Sequence, residues 1–276
     1  MNEKHQLSDL QLRLLPMLEW FHSFCVENHL RYYLLGGTML GAARHQGFIP
    51  WDDDIDVGMP RNDYQRFLEL TKDKHFGDYV VEGIDTEKTD FFYGYTKVYD
   101  TQTTLVENTR AKIRRGIYID VFPLDGVCQY PSEISSRFRP IYLRYSLLLA
   151  RVCAINKNRK WYKNAVIYGA RAIPGWILDD KKLMHSIDRM CRQQDYDSCE
   201  FIGNFYGNWG IREIMPRCTL GQPKLYTFEN LQVYGASDCD AYLTSLYGDW
   251  RKLPPKEKQV THHDFLLCDL NKSYLG

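Results

Sequence analysis

The stretch Tyr32-Tyr33-Leu34-Leu35-Gly36-Gly37-Thr38 is followed, after a run of small residues and a loop, by Trp51-Asp52-Asp53-Asp54-Ile55-Asp56-Val57-Gly58. Successive side chains of a strand point to opposite faces, so the pattern predicts that Asp54 and Asp56 share one face. Two carboxylates this close repel each other, and a divalent metal ion usually relieves the repulsion. The two glycines allow backbone N–H groups to approach a phosphate. This combination indicates phosphoryl or nucleotidyl transfer.

A later apolar run, Ile117-Tyr118-Ile119-Asp120-Val121-Phe122, contains a single acid. Burying a carboxylate among apolar residues costs free energy unless it is paired or bound to a metal. Asp120 is therefore predicted to be a third metal ligand beside Asp54 and Asp56. The alternative is an acid at the solvent-exposed end of a strand.

The composition indicates a soluble globular protein. Its 276 residues are 44% hydrophobic and 25% charged, and the 35 basic and 35 acidic residues cancel, which argues against general nucleic-acid affinity. The polar start at residues 1–6 lacks a signal region and no apolar run is long enough to cross a bilayer, so a cytoplasmic location is expected. The eight cysteines form no Cys-x-x-Cys pair, which favours reduced thiols. A zinc site from Cys191, Cys199 and Cys218 has a spacing that fits no common pattern.

The periodicity predicts an α+β fold with a mixed sheet flanked by helices. Strands are expected at 31–35 and 54–59, helices at 38–44 and 62–71, and a period of two dominates from 79 to 121. Thr38 is placed to cap the first of these helices. We predict a catalytic core over 1–130, a helical basic subdomain over 131–200, and a segment over 201–276 that returns to the core.

Residues 134–178 contain nine Lys or Arg residues and no Asp or Glu. An amphipathic basic section of this kind is typical of contact with an anionic membrane or a polyanionic acceptor. A helical subdomain with a solvated basic face explains the composition equally well.

The run from Gly36 to Arg61, Gly-Gly-Thr-Met-Leu-Gly-Ala-Ala-Arg-His-Gln-Gly-Phe-Ile-Pro-Trp-Asp-Asp-Asp-Ile-Asp-Val-Gly-Met-Pro-Arg, closely resembles the signature of the LicD family. That family has a nucleotidyltransferase-like fold and includes bacterial phosphocholine transferases and the fukutin-related proteins. Segments 97–107, 119–126 and 228–263 resemble its later motifs, so the resemblance covers about 8–126 and 212–263 and leaves out the basic section. Ala43 and Gln46 depart from the family pattern without touching the acids.

The resemblance implies transfer of a phospho-alcohol, phosphocholine above all, from a CDP-activated donor such as CDP-choline, with release of CMP. The acceptor would be a hydroxyl of a cell-surface glycan or its lipid-linked precursor, of the teichoic acid or lipopolysaccharide type. Two Mg²⁺ or Mn²⁺ ions held by Asp54, Asp56 and Asp120 would neutralise the diphosphate. Gly36, Gly37 and Thr38 would hold phosphate oxygens.

Several further residues receive roles on this basis. Asp52 is expected to support the site, whereas Asp53 is expected to be a solvated loop acid. Arg44 and Lys97 are candidate phosphate contacts, with ordinary surface cations as the alternative. The acceptor proton would go to Asp120 or to a histidine of the tail, and His263, next to His262, is our candidate there.

Two other functions stay open from the sequence. One is nucleotidyl transfer with release of pyrophosphate, which the same fold and acids would serve. The other is a non-catalytic glycan-binding or membrane-binding relative, and the presence of all three acids argues against it, because a buried acid cluster without a metal is costly.

Overall fold

The computed structural model describes residues 7–86, 91–128, 131–155, 159–261 and 265–276. The α-helices of these ranges are α1 (Asp9–Glu27), α2 (Gly36–His45), α3 (Arg61–Thr71), α4 (Ile134–Val152), α5 (Trp161–Ala172), α6 (Asp180–Cys191), α7 (Arg217–Leu220) and α8 (Cys239–Tyr247). The strands are β1 (Tyr33–Leu34), β2 (Asp56–Pro60), β3 (His75–Phe76), β4 (Tyr79–Glu82), β5 (Thr96–Asp100), β6 (Thr104–Glu107), β7 (Arg114–Arg115), β8 (Tyr118–Val127), β9 (Phe201–Gly203), β10 (Ile214–Pro216), β11 (Lys224–Phe228), β12 (Leu231–Gly235) and β13 (Phe265–Asp269). Within these ranges, no helix has the length and apolar character that crossing a membrane requires.

Strand β8 is the centre of an eight-stranded mixed sheet. The strand order is β1-β2-β8-β5-β4-β3, and β9 joins the far half of β8 and pairs with β10. The neighbours β2 and β8 run parallel, whereas the other neighbours in this sheet run antiparallel. All ten residues of β8 are buried, including its two acids, Asp120 and Asp125. The predicted α+β fold is confirmed.

The boundaries near the glycines differ from the prediction. Helix α2 begins at Gly36, and Leu35 rather than Thr38 occupies its N-cap position. Strand β2 begins only at Asp56, so Asp54 lies in the loop before it and does not share a strand face with Asp56. The prediction failed because the acids before Ile55 have no strand partner that would impose alternation.

The C-terminal segment contacts the first part of the chain. Helix α8 and strand β11 pack against α2, and β13 pairs with β6. Side chains of α4 and α6, such as Ile141 and Ile187, belong to the same buried core as the sheet. The domain limits at 130 and 200 remain predictions.

The cysteine prediction was wrong for one pair. Cys128, directly after β8, forms a disulfide with Cys199, just before β9, across a Cα–Cα distance of 4.7 Å. The antiparallel pairing of β8 with β9 brings these positions together, which their sequence separation of 71 conceals. Cys199 is thereby unavailable for the zinc site considered from the sequence.

Candidate active site

Two of the predicted acids face each other across the parallel strands. The register pairs Asp56 at the start of β2 with Asp120 near the start of β8, and the Asp120 backbone N–H donates to Ile55 O at 2.9 Å. Neighbouring strands lie about 4.8 Å apart, so this register brings residues 64 positions apart in sequence into one site. The register of the sheet therefore brings Asp56 and Asp120 together, which the sequence alone could only suggest.

Burial, together with the charges of neighbouring acids, disfavours ionisation of Asp56 and Asp120. Burial raises the pKa of Asp56 well above its usual value, and the charges of Asp54, Asp120 and Asp52 raise it further. Burial also raises the pKa of Asp120 to about 6, whereas Lys97 opposes the rise. Like-charged carboxylates held in a buried site are a common sign of a functional centre.

Lys97 reaches this site, but as a partner of Asp120. The antiparallel register of β5 with β8 places it opposite Asp120, and its Nζ lies 2.8 Å from Asp120 Oδ1. The ammonium also lies 3.3 Å from the centre of the Tyr118 ring, and Lys97 is 1% exposed. The predicted phosphate contact is not supported, because carboxylate and aromatic groups enclose the ammonium.

Sequence analysis did not assign roles to the groups around Lys97. Glu107 Oε1 lies 3.6 Å from Lys97 Nζ, and the hydroxyl of Tyr93 donates to the same carboxylate. The centre of the Tyr93 ring lies 4.4 Å from that ammonium. Glu107 and Tyr93 stand in separate segments from Asp120, and their polarity alone does not distinguish them from surface residues.

The two glycines make room for carboxylates. A Cβ atom on Gly37 would lie 2.6 Å from Asp52 Oδ2, and one on Gly36 would lie 3.4 Å from Asp56 Oδ2. Gly36 also has a φ of +49°, which favours glycine. Its N–H donates to Tyr242 Oη at 2.9 Å, so the predicted phosphate contact by this N–H is not supported.

Thr38 holds one of the acids in place. Its Oγ1 accepts a hydrogen bond of 2.9 Å from the backbone N–H of Asp56. Phosphate binding by Gly37 and Thr38 stays a prediction, and it would gain from the positive end of the α2 dipole beside the acids.

Asp52, Asp53 and Asp54 gather in the loop before β2. Each offers a carboxylate oxygen, and the three oxygens lie within 4.8 Å of one another. Within the described part of the chain, these three carboxylates form the group of possible metal ligands that lie this close together. The group differs from the expected set of Asp54, Asp56 and Asp120. Asp53 Oδ2 accepts a hydrogen bond of 2.5 Å from Thr261 Oγ1 at an exposed position, which is compatible with a solvated loop acid.

The residues present fit a divalent cation. The loop acids Asp52, Asp53 and Asp54 offer a close group of hard oxygen ligands, and the charges of Asp54, Asp120 and Asp52 raise the pKa of Asp56, an effect that a bound Mg²⁺ or Mn²⁺ would oppose. The exact ligands and the number of ions stay predictions.

Arg44 lies at the opposite end of α2 from Gly36, about 12 Å along the helix axis. Its Nη1 donates to Trp250 O at 2.9 Å. Burial lowers the pKa of Arg44, and the nearby Tyr247 phenol opposes this change. Arg44 therefore stands on the α8 side of the site, and its contact with phosphate stays a prediction. His262 and His263 lie outside the described residues.

Helix α8 and the turn before β10 supply residues that the sequence analysis left without a role. A Cβ on Gly36 would lie 3.8 Å from Tyr247 Oη, and burial together with the charge of Asp56 raises the pKa of Tyr247. The Trp209 ring lies 4.7 Å from the Tyr247 ring. Trp209 also lines a groove of about 640 Å³ between α4 and the 3-10 turn Gly210–Glu213. Tyr247 therefore lies between Trp209, which lines this groove, and Gly36 of the acid site.

Comparison with known proteins agrees with this geometry. The profile of the family described as LicD/FKTN/FKRP, nucleotidyltransferase domain, matches residues 29–133. The chain is 31% identical over 268 residues to the lipopolysaccharide cholinephosphotransferase LicD of Haemophilus influenzae, which covers 95% of this chain and 97% of that protein. The chain belongs to the LicD family.

Other relatives share shorter segments with the chain. It is 34% identical over 90 residues to an uncharacterised protein of Rickettsia typhi, across 29% of each chain. It is 60% identical over 30 residues to the human ribitol 5-phosphate transferase FKRP, which is 11% of this chain and 6% of that protein. The LicD assignment rests on the full-length relative.

Proposed function

We propose that this LicD-family protein transfers phosphocholine from CDP-choline to a hydroxyl of a cell-surface glycan or its lipid-linked precursor. The observation that carries the proposal is the pairing of Asp56 with Asp120 across β2 and β8, beside the loop acids. The name of the full-length relative, a lipopolysaccharide cholinephosphotransferase, supports both the transferred group and a glycan acceptor.

A divalent cation, when bound, would neutralise the donor diphosphate and the charge that develops on the departing CMP. The chain's own residues have separate tasks. Thr38 fixes the backbone at Asp56, and the glycines of α2 leave space for the carboxylates. Lys97 orients Asp120 through its 2.8 Å contact. Asp120 and His263 remain the candidates for taking the acceptor proton.

We place the acceptor in the groove beside Trp209. Its lining combines aromatic rings, including Phe138, Tyr142 and Trp209, with the guanidinium of Arg139. Aromatic faces stack on sugar rings and a guanidinium pairs with phosphate, so this lining suits a phosphorylated glycan. Trp209→Ala is expected to raise KM for the acceptor far more than KM for CDP-choline.

The test of the donor and reaction is a product analysis. The purified protein is incubated with Mg²⁺, a glycan acceptor and, in separate reactions, CDP-choline, CDP-ribitol or CDP-glycerol. We expect CMP release with CDP-choline and loss of turnover after chelation by EDTA, restored by Mg²⁺ or Mn²⁺. Release of pyrophosphate from CTP, with no CMP from any CDP-alcohol, would overturn the proposal in favour of nucleotidyl transfer.

A further inference from the structure

Helix α5 has an unusual outer face. Ile167 and Ala170 of this helix are buried, whereas Trp161, Tyr162, Val166 and Tyr168 are 80%, 47%, 66% and 59% exposed. A surface helix normally buries its apolar stripe and presents charged residues to water. In α5 the exposed side chains are instead largely apolar.

The helical geometry makes this face continuous. At about 100° per residue, the exposed positions of α5 other than Lys163 form one arc. This arc carries no charge, and its members are Trp161, Tyr162, Ala165, Val166, Tyr168, Gly169 and Ala172. Water is therefore in contact with an unbroken apolar and aromatic surface.

Two tryptophans mark the ends of this face. Trp161 is the first residue of α5, and Trp176 follows the helix after the Pro174-Gly175 turn. Trp176 is 86% exposed and the adjacent Ile177 is 59% exposed. Tryptophan is enriched where proteins meet the headgroup region of a bilayer, because its ring is apolar and its N–H is polar.

The charges within residues 134–178 are all positive, but some of these cations are already paired inside the protein. Arg151 is buried and pairs with Asp180, and Arg137 donates to the carbonyl oxygens of Met190 and Cys191. Lys160 and Lys163 at the start of α5 are exposed, as are Arg139 and Arg144 on α4. Since residues 134–178 contain no acid, these cations complement an anionic surface.

We propose that the outer face of α5, with Trp176 and Ile177, seats the protein on an anionic lipid bilayer. The aromatic and aliphatic side chains enter the headgroup region, and Lys160 and Lys163 contact lipid phosphates. Charge complementarity favours a bilayer over an apolar partner protein. A bilayer would also bring a lipid-linked glycan to the groove on α4; only this last reason rests on the proposed function.

The direct test is flotation of the purified full-length chain with lipid vesicles. We expect binding to vesicles of phosphatidylcholine with phosphatidylglycerol, weaker binding at high salt, and little binding to pure phosphatidylcholine. Brominated acyl chains should quench part of the tryptophan fluorescence of the wild type, and this readout needs no variant. Absence of both flotation and quenching with the anionic vesicles would refute the proposal.

Paired variants locate the contact. Trp161→Ser with Trp176→Ser is expected to weaken partitioning about tenfold or more, since each ring contributes an appreciable insertion energy. Lys160→Glu with Lys163→Glu is expected to weaken it by about tenfold. The matched controls are Leu12→Ser with Leu225→Ser and Lys72→Glu with Lys74→Glu, which change exposed residues elsewhere and should bind like the wild type.

Two further readouts separate this proposal from its rivals. If the tryptophan pair abolishes self-association measured by ultracentrifugation and leaves vesicle binding unchanged, α5 is a contact between copies and the proposal fails. CMP release with a water-soluble acceptor should be the same in all variants and the wild type. A protein that binds vesicles but releases no CMP would refute the proposed function and leave the membrane contact intact.

Discussion

Strand β8 carries two buried acids whose surroundings differ sharply. Asp125, near its end, accepts two hydrogen bonds of 2.7 Å from Arg61, which also donates to Asp188 at 2.8 Å. Asp120, near its start, has one contact of 2.8 Å with Lys97. The charges of Asp54 and Glu107 act against the ionisation of Asp120.

This difference separates structural charges from functional charges. Around Asp125, the cation of Arg61 joins α3, β8 and α6, and the acids there are paired. Around Asp120, burial and the charges of Asp54 and Glu107 raise the pKa of its carboxyl, and Lys97 lowers it. Buried acids that raise one another's pKa are common at functional sites, where a bound cation would favour their ionised form.

The largest expected effect is a loss of turnover when the charge of Asp56 is removed. Asp56→Asn should lower turnover about 10³-fold or more, because the lost ligand accounts for several kcal/mol of transition-state stabilisation. The free energy of unfolding measured without divalent ions should stay unchanged or rise by about 1 kcal/mol, since the variant removes mutual repulsion. Urea unfolding and CMP release measure the two effects; unchanged turnover would remove the metal-site assignment.

A substitution of Asp125, at the other end of β8, should lower the stability of the protein and change turnover little. Asp125→Asn leaves Arg61 with half of its charge partners, and the free energy of unfolding should fall by about 3 kcal/mol. Turnover per folded molecule should change little at low temperature. Asp85→Asn is the control, because Asp85 is 80% exposed. Equal stability of both variants would show that the Arg61 network does not differ from surface charges.

Glu213 is a third buried acid, and its contribution to the free energy of unfolding should depend on pH. Burial raises the pKa of Glu213 to about 7, and the Trp209 N–H, which donates to its Oε1 at 3.3 Å, opposes the rise. An unfolded glutamate ionises near its usual value of 4.5, so the unfolded state binds fewer protons between that pH and about 7.

The stabilisation that protonated Glu213 gives the folded state is present in full below pH 4.5 and is lost as the pH rises to about 7. The loss should amount to about 3 kcal/mol of unfolding free energy. Glu213→Gln should remove this part of the pH dependence. Denaturant unfolding of both proteins between pH 4 and 8 measures it, and parallel curves would contradict the assignment.

The smallest effect concerns the loop before the acids. Glu229 Oε1 accepts a 3.0 Å bond from the Phe48 N–H, and the Glu229 N–H donates to Gln46 O at 2.7 Å. Glu229→Ala should cost about 1–2 kcal/mol of loop stability and raise KM for the donor severalfold. Limited proteolysis within 45–51 and steady-state kinetics measure these changes. Glu229→Gln, which keeps an acceptor oxygen, should recover most of the loss, and Gln232→Ala on the same hairpin serves as control.

The sequence predicted the elements well where periodicity is strong. Helix α3 was expected at 62–71 and begins one residue earlier, and strands β4, β5 and β6 lie within residues 79–121, where a period of two was expected. It failed at the loop 52–55, because consecutive acids have no apolar alternation to fix a strand. It also could not pair Cys128 with Cys199, since that contact depends on sheet order.

The sequence by itself determined the fold class, the LicD family and the acids on which the site is built, because these depend on local pattern and on a contiguous motif. Only the tertiary structure decided which groups those acids meet. The parallel register sets Asp56 against Asp120, β5 brings Lys97 to Asp120, and α8 brings Tyr242 to the Gly36 N–H. These contacts join distant segments, and a chain specifies them through sheet order and packing rather than through any local spacing. The two glycines, which the sequence assigned to phosphate, also have structural reasons: Gly36 has a φ of +49°, and a Cβ on Gly37 would lie 2.6 Å from Asp52 Oδ2.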